Sequence, residues 1–216
     1  MKNFWLDNQN RSKLLLVFLG WGMDENVLKH LNSCGYDVLA IYDYRDLDFS
    51  EDLSMYDEIH AIAWSMGVLV LSIVAESLGV QKSIAINGTQ KLIDAKFGIN
   101  PKMYQRTLDG LSIETRDMFF ANMFDQNTYY QRFLPPLRDL QEQKDELEFL
   151  QNLALLERDF DFDFDCAIIS SRDKIIPTKN QKNFWQTKKV KVVELNCGHY
   201  PFFEFENLEE IVNEAL

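Results

Sequence analysis

Ser65 is the residue of this chain best placed to act as a nucleophile. It stands in Ala63-Trp64-Ser65-Met66-Gly67, between an apolar run ending at Trp64 and a helical pattern starting near Val68. A serine held above a sheet at a sharp strand-to-helix turn needs small neighbours, because the turn brings backbone close on both sides. Glycine is usual at the first small position, and Ala63 meets the same demand less permissively. The hydroxyl also needs a base, and the chain has three histidines. His30 falls mid-helix in an amphipathic pattern and His60 inside an apolar strand, both positions of structural histidines. His199 follows Asn196-Cys197-Gly198, directly after the last apolar run, which puts it in a loop on the same sheet edge as Ser65. The imidazole in turn needs a carboxylate to fix its tautomer and stabilise its cation. Asp173, in the loop Ser170 to Pro177 after the preceding strand, is the candidate; Asp165 and Asp94 are the next in line.

Acyl transfer further requires backbone donors for a developing oxyanion. The N–H of Met66, next to the serine, and that of Trp21, in the loop Leu19 to Met23 after the first apolar run, are the expected pair. The competing reading of Gly20-x-Gly22 is a dinucleotide fingerprint with Asp43 on the ribose. Its third glycine position holds Glu25, and an acid there opposes a pyrophosphate. A phosphate loop G-x-x-x-x-G-K-[ST] and a zinc motif H-E-x-x-H are both missing from the sequence. The run Asp159 to Asp165 begins like a calcium loop but has Phe164 at the turn position and Ser170 at the twelfth. It reads instead as an extended lead-in to a strand with one phenylalanine face buried. Cys34, Cys166 and Cys197 are odd in number and lack metal spacing, which suits free thiols. No cofactor is expected.

The elements that must position these groups are legible as runs. Lys13 to Leu19, Tyr36 to Tyr42, Glu58 to Trp64, Lys82 to Asn87, Asp165 to Ser170 and Lys189 to Leu195 read as strands buried on both faces of a parallel sheet. Helical patterns lie at Asp24 to Ser33, Val68 to Leu78, Thr178 to Trp185 and Phe205 to Leu216. The alternation implies an α/β fold with helices on both faces. It breaks between Ile99 and Asp161, a helical stretch rich in Phe, Met, Tyr and Arg with a Pro135-Pro136 stop. This is expected to be an insertion capping the C-terminal edge of the sheet within one domain spanning 1–216.

Composition excludes other classes. The 216 residues are 46% hydrophobic and 26% charged, as in a globular protein. With 34 acidic against 22 basic residues the net charge is -12, which repels a phosphate backbone or an anionic lipid surface; no nucleic-acid or membrane partner is expected. The longest apolar runs fall far short of the roughly 20 residues of a membrane span. Met1 to Arg11 has no secretory h-region or cleavage site, so a cytoplasmic location is expected.

The order Ser65, Asp173, His199 along the chain is that of α/β-hydrolases. The blocks Phe18-Leu19-Gly20-Trp21-Gly22-Met23-Asp24, Tyr42 to Leu47, Ala63 to Val68, Arg172-Asp173-x-Ile175-Ile176-Pro177 and Gly198 to Phe202 resemble, more narrowly, the BioG-type esterases. These act on the methyl ester of pimeloyl-acyl-carrier protein in biotin synthesis. The blocks cover almost the whole chain outside the insertion, and Ala63 departs from the family's usual glycine. The resemblance implies ester hydrolysis through an acyl-enzyme on Ser65, His199 and Asp173, with acyl carrier protein as the substrate's carrier. It also implies that the insertion admits the acyl chain. Phe119 and Phe120, in the run Met118 to Phe124, either line an apolar channel or pack a helix onto the domain. Arg106, Arg116, Arg132 and Arg138 either meet the acidic carrier or form solvated helix faces. The same three residues would also serve a short-chain carboxylesterase, a thioesterase or a lyase. An inactive hydrolase-fold binding protein is the reading outside enzymes.

Overall fold

All six apolar runs form strands in a computed structural model that describes residues 1–156 and 162–215. They are β2 (Lys13–Phe18), β3 (Asp37–Tyr42), β4 (Glu58–Trp64), β5 (Lys82–Ile86), β6 (Cys166–Ser170) and β7 (Lys191–Leu195). A seventh strand, β1 (Lys2–Asp7), precedes them at the edge. The order across the sheet is β1-β3-β2-β4-β5-β6-β7, with β1 antiparallel to β3 and every other pair parallel. From β2 the chain moves outward to β3 and then crosses back over β2 to β4. The connection therefore changes direction between β2 and β4, and the carboxyl ends of those strands flank a crevice of the kind where open α/β sheets bind ligands. The loop carrying Trp21 leaves one side of that crevice and the turn carrying Ser65 leaves the other.

Alternate residues of β2 serve two cores. Leu14, Leu16 and Phe18 join one cluster with Val68 to Leu71, Phe184 and Trp185; Leu15 and Val17 join the other with Ile62, Trp64, Ile211 and Val212. Helices α1 (Gly67–Val74) and α6 (Thr178–Trp185) thus cover one face and α7 (Leu208–Ala215) the other. Between β5 and β6 stand α2 (Pro101–Asp109), α3 (Ile113–Asn122), α4 (Asn127–Arg132) and α5 (Leu140–Ala154). Their starts are written locally: Asn100 accepts from Lys102 N–H with Pro101 following, Ser112 and Thr115 form a capping box, and Asp139 accepts from Gln141 N–H. Each such cap stabilises its helix by about 1 kcal/mol. Among the described residues no helix is long and apolar enough to cross a membrane.

The expected helix from Asp24 to Ser33 is only one tight turn, Glu25–Leu28. Asp24 divides its carboxylate between Asn26 N–H and Leu137 N–H, and positive φ at Cys34 and Gly35 turns the chain away soon after. The helix expected from Val68 to Leu78 ends at Val74, followed by a separate short turn, and the last helix begins at Leu208 rather than Phe205. Of the Asp/Phe run, Phe162 and Phe164 pack edge to face at 5.0 Å and Phe164 meets Trp185, so a phenylalanine face is buried there. Asp159, Phe160 and Asp161 lie outside the described residues. Cys166 and Cys197 are buried free thiols and Cys34 an exposed one.

Candidate active site

The turn after β4 holds Ser65 at φ +58°, a left-handed conformation that is rare for a residue with a side chain. Its environment leaves little alternative. A β-carbon on Gly67 would stand 2.7 Å from the carbonyl oxygens of Phe18 and Leu19, so α1 approaches β2 only because that position is glycine. Ser65 N–H donates to Ile86 O at 2.8 Å, tying the turn to β5. Ala63, where glycine is usual, is fully buried in the sheet, and the turn forms with its methyl group in place.

His199 reaches this turn from the loop after β7. Its Nε2 lies 2.8 Å from Ser65 Oγ and its Nδ1 2.7 Å from Asp173 Oδ2. A carboxylate only accepts, so Nδ1 carries the proton and Nε2 turns a lone pair toward the serine hydroxyl. Asp173 is fixed just as firmly. Its Oδ1 accepts the N–H groups of Ile175 and Ile176, and its Oδ2 also accepts from Gln181 Nε2 at 2.8 Å. Gln181 is fully buried on α6 and donates to Ile176 O as well. The backbone of His199 has its own anchors, since its carbonyl oxygen accepts from Trp64 Nε1 and from Asn87 Nδ2, both at 2.9 Å. The two reserve acids are occupied elsewhere: Asp165 accepts from Ser83 N–H, and Asp94 caps Lys96 and Phe97. His30 faces Phe202 O, and His60 faces the hydroxyl of Tyr36.

The loop from Leu19 to Met23 lies against the same turn, where a β-carbon on Gly20 would come within 3.2 Å of Ser65 Cβ. Its polar groups are held from several sides. Leu19 N–H donates to Ile41 O, Leu19 O accepts from the buried hydroxyl of Tyr44, and Met23 N–H donates to Gly20 O. Trp21 Nε1 donates to Gln143 O at 2.6 Å, Gly22 N–H to Glu146 Oε2 at 3.0 Å, and Gly22 O accepts from Gln143 Nε2 at 2.8 Å. Among the described residues the N–H groups of Trp21 and Met66 enter no turn, loop or cap hydrogen bond.

Glu146 is fully buried and also accepts from Tyr44 N–H, while Arg138 meets it at 2.5 Å and Asp43 at 2.9 Å. Burial pushes the Glu146 carboxyl above its usual range, against the pull of Arg138 and of the N–H groups of Tyr44 and Gly22. Burial also acts upward on Asp43, but Arg45, Arg138 and Lys2 outweigh it and hold that carboxyl down to about 2.

A cavity of about 520 Å³ opens over Trp21 and Met66, walled largely by Met103, Met118, Phe119 and Ile175. Phe119 faces it and packs edge to face on the Trp21 ring at 5.1 Å. Phe120 does not: it is buried against Phe133 and serves helix packing, the second of its two expected roles. Arg106 lines the cavity from α2 and Arg132 is exposed over the ring of Phe203. Arg116 pairs with Asp117 beside Phe120. Arg138 corrects the sequence reading, being only 7% exposed with its charge taken up by Asp43 and Glu146, so it meets neither a docking protein nor solvent. No group of three or more potential metal ligands occurs among the described residues.

The fold, together with a serine, histidine and aspartate brought into contact at its carboxyl edge, is that of an α/β-hydrolase. A structure described as an α/β hydrolase fold protein from Burkholderia ambifaria superposes with a TM-score of 0.63 at 12% identity, covering 99% of this chain and 92% of the other. The family model for pimeloyl-ACP methyl esterase BioG matches residues 1–211, and the chain belongs to the BioG family. The crystal structure of BioG from Haemophilus influenzae is similar at a TM-score of 0.90 and 32% identity, over 97% of this chain and 99% of that one. A malonyl-[acyl-carrier protein] O-methyltransferase of Bacteroides fragilis is 37% identical over 211 residues, 95% of this chain. The chain spans 42% of that relative's length.

Proposed function

We propose that the protein is a serine esterase that hydrolyses the methyl ester of pimeloyl-acyl carrier protein, with Ser65 as nucleophile, His199 as base and acid, and Asp173 as orienter. The hydrogen-bonded series Ser65–His199–Asp173, next to a largely apolar cavity that Met66 and Trp21 line, carries this reading. His199 Nε2 takes the hydroxyl proton as Ser65 Oγ attacks the ester carbonyl. The oxyanion of the tetrahedral intermediate is received by the N–H groups of Trp21 and Met66. Collapse breaks the bond to the methoxy oxygen, which leaves as methanol with the proton from His199. Water, activated by the same imidazole, then releases the acid and restores Ser65.

Helices α2 to α5 act as a cap within a single hydrolase domain, and the thioether, aliphatic and aromatic wall of the cavity receives the acyl chain. Of the four cap arginines, Arg106 and Arg132 are left to meet an acidic carrier. The carrier reading is supported by the family description and by the Bacteroides fragilis relative, whose name places a methyl transfer on an acyl-carrier-protein substrate. The reaction needs no cofactor and no nucleic acid, and its compartment in this reading is the cytoplasm. The test is labelling by a fluorophosphonate together with methanol release from the carrier-linked ester. Ser65→Ala is expected to abolish labelling and to cut turnover at least about a thousandfold with the fold intact. Near-parental turnover in that variant overturns the assignment.

A further inference from the structure

The geometry points to Glu146 and Gln143 of α5 as positioning residues for the oxyanion donor Trp21 N–H, an inference that rests on the esterase reading above. An oxyanion hole works only if its donors are already aimed when charge develops, because a loop that must reorganise forfeits part of the stabilisation. A glycine-rich loop is the least self-ordering segment available for that task. Gly20-Trp21-Gly22 is given its shape from outside, and on the side of Trp21 and Gly22 the outside is α5. Gln143 holds the loop twice, its backbone carbonyl on the Trp21 indole N–H and its side chain on Gly22 O. Glu146 takes the N–H immediately after Trp21, that of Gly22, while its second oxygen takes Tyr44 N–H.

Tyr44 closes the circuit, because its hydroxyl lies 2.8 Å from Leu19 O at the loop's other end. The carboxylate of Glu146 therefore spans the loops after β2 and β3 and holds the Trp21–Gly22 peptide plane, the neighbour of the Gly20–Trp21 plane that carries the Trp21 N–H. Gly22 itself has φ +75° and would meet Gln143 Nε2 at 3.3 Å if it bore a β-carbon, so loop and helix are fitted closely. Arg138 keeps the buried carboxylate paired. In this arrangement the helical insertion, beyond covering the cavity, braces the loop that carries one oxyanion donor.

Two near-isosteric variants test this on the full chain, Glu146→Gln and Gln143→Met, each measured well below its own melting temperature. With p-nitrophenyl butyrate, kcat is expected to fall about 10- to 100-fold in each, part of the roughly hundred- to thousandfold cost of losing a donor outright, while KM stays within about threefold. The inhibition constant of butylboronic acid, whose tetrahedral adduct on Ser65 places an oxygen in the hole, is expected to rise by the same factor as kcat falls. If Glu146→Gln does not fold, Gln143→Met, which removes no charge, decides alone. Turnover within twofold of the parent in the folded variants, or a fall in kcat with unchanged boronate inhibition, overturns the positioning role. A parent that boronate does not inhibit, with Ser65→Ala still active, marks instead the failure of the esterase reading itself.

Discussion

The indole N–H of Trp64 donates to the carbonyl oxygen of His199 at 2.9 Å, so the residue preceding Ser65 holds the backbone of the histidine that meets it. The turn of Ser65 and the loop of His199 are thus joined twice, once between the two side chains and once through this buried link. Trp64→Phe keeps an aromatic ring but removes the donor and part of a fully buried indole, leaving the carbonyl to Asn87. A net hydrogen bond contributes about 1 kcal/mol. That bond alone lowers the melting temperature by about 2–4 °C; the volume lost with the larger ring lowers it further, and kcat is expected to fall several-fold, read by calorimetry and ester turnover.

Asp173→Asn presents an amide where Asp173 Oδ2 accepts from both His199 and Gln181. The wrong tautomer of the imidazole is then favoured, and turnover is expected to fall on the order of ten-thousandfold while the fold persists. Activity within tenfold of the parent would show that another acid orients His199. The side-chain contacts of Asp94 and Asp165 give neither one that place.

Acid should weaken the protein through Asp43. Its carboxyl sits at about 2 in the folded state against an ordinary 3.8, so its stabilising contribution is complete above pH 4 and is lost as pH falls toward 2. The size is on the order of 2 kcal/mol. Glu146, shifted upward, acts with the opposite sign and does not produce this loss. Urea titrations at pH 4 and pH 2 should show the drop in the parent and a flatter dependence in Asp43→Asn.

Carrier docking and small-ester turnover should respond differently to salt. Protein and carrier would both be acidic, so encounter depends on a local positive patch, screened over about 10 Å at 0.1 M salt. Rising salt should lower kcat/KM for the carrier-linked ester more than for p-nitrophenyl butyrate. Arg132→Ala should lower the ratio of the two in the same direction. Arg138→Ala should depress both alike through lost stability, because its guanidinium is buried between two carboxylates. Equal responses of both substrates to salt and to Arg132→Ala would leave the cap a packing and gating element.

The strands and reactive loops were legible in the sequence for one reason. Parallel strands buried on both faces appear as apolar runs, and Ser65, Asp173 and His199 each follow such a run among small or turn-forming neighbours. Strand β1 leaves no such run because an edge strand is half exposed: Phe4 faces out, and Trp5 is only partly buried against Tyr56. The anchoring groups were illegible on different grounds. Gln143, Glu146 and Gln181 look like surface residues of polar helices: nothing near Gln143 or Glu146 records a partner more than 100 residues away, and nothing near Gln181 records that its helix packs back on the loop of Asp173. Arg138 is illegible for the same reason, since burial of a cation beside two acids is settled by tertiary packing alone. A polar residue at a helix position that the apolar pattern assigns to the core is the one local hint.

The link from Gly22 to Glu146 joins positions 124 apart, and that from Ser65 to His199 positions 134 apart. Contacts of such separation must wait for loop closure, and chains rich in them assemble slowly. β2, β3 and β4, by contrast, are near neighbours in sequence and can pair first. During refolding a population should therefore exist whose sheet is largely formed but whose reactive centre has not been drawn together from its distant pieces. Native circular dichroism would return before the capacity to bind a fluorophosphonate, and the hydrolytic centre would be the last part of the molecule to mature.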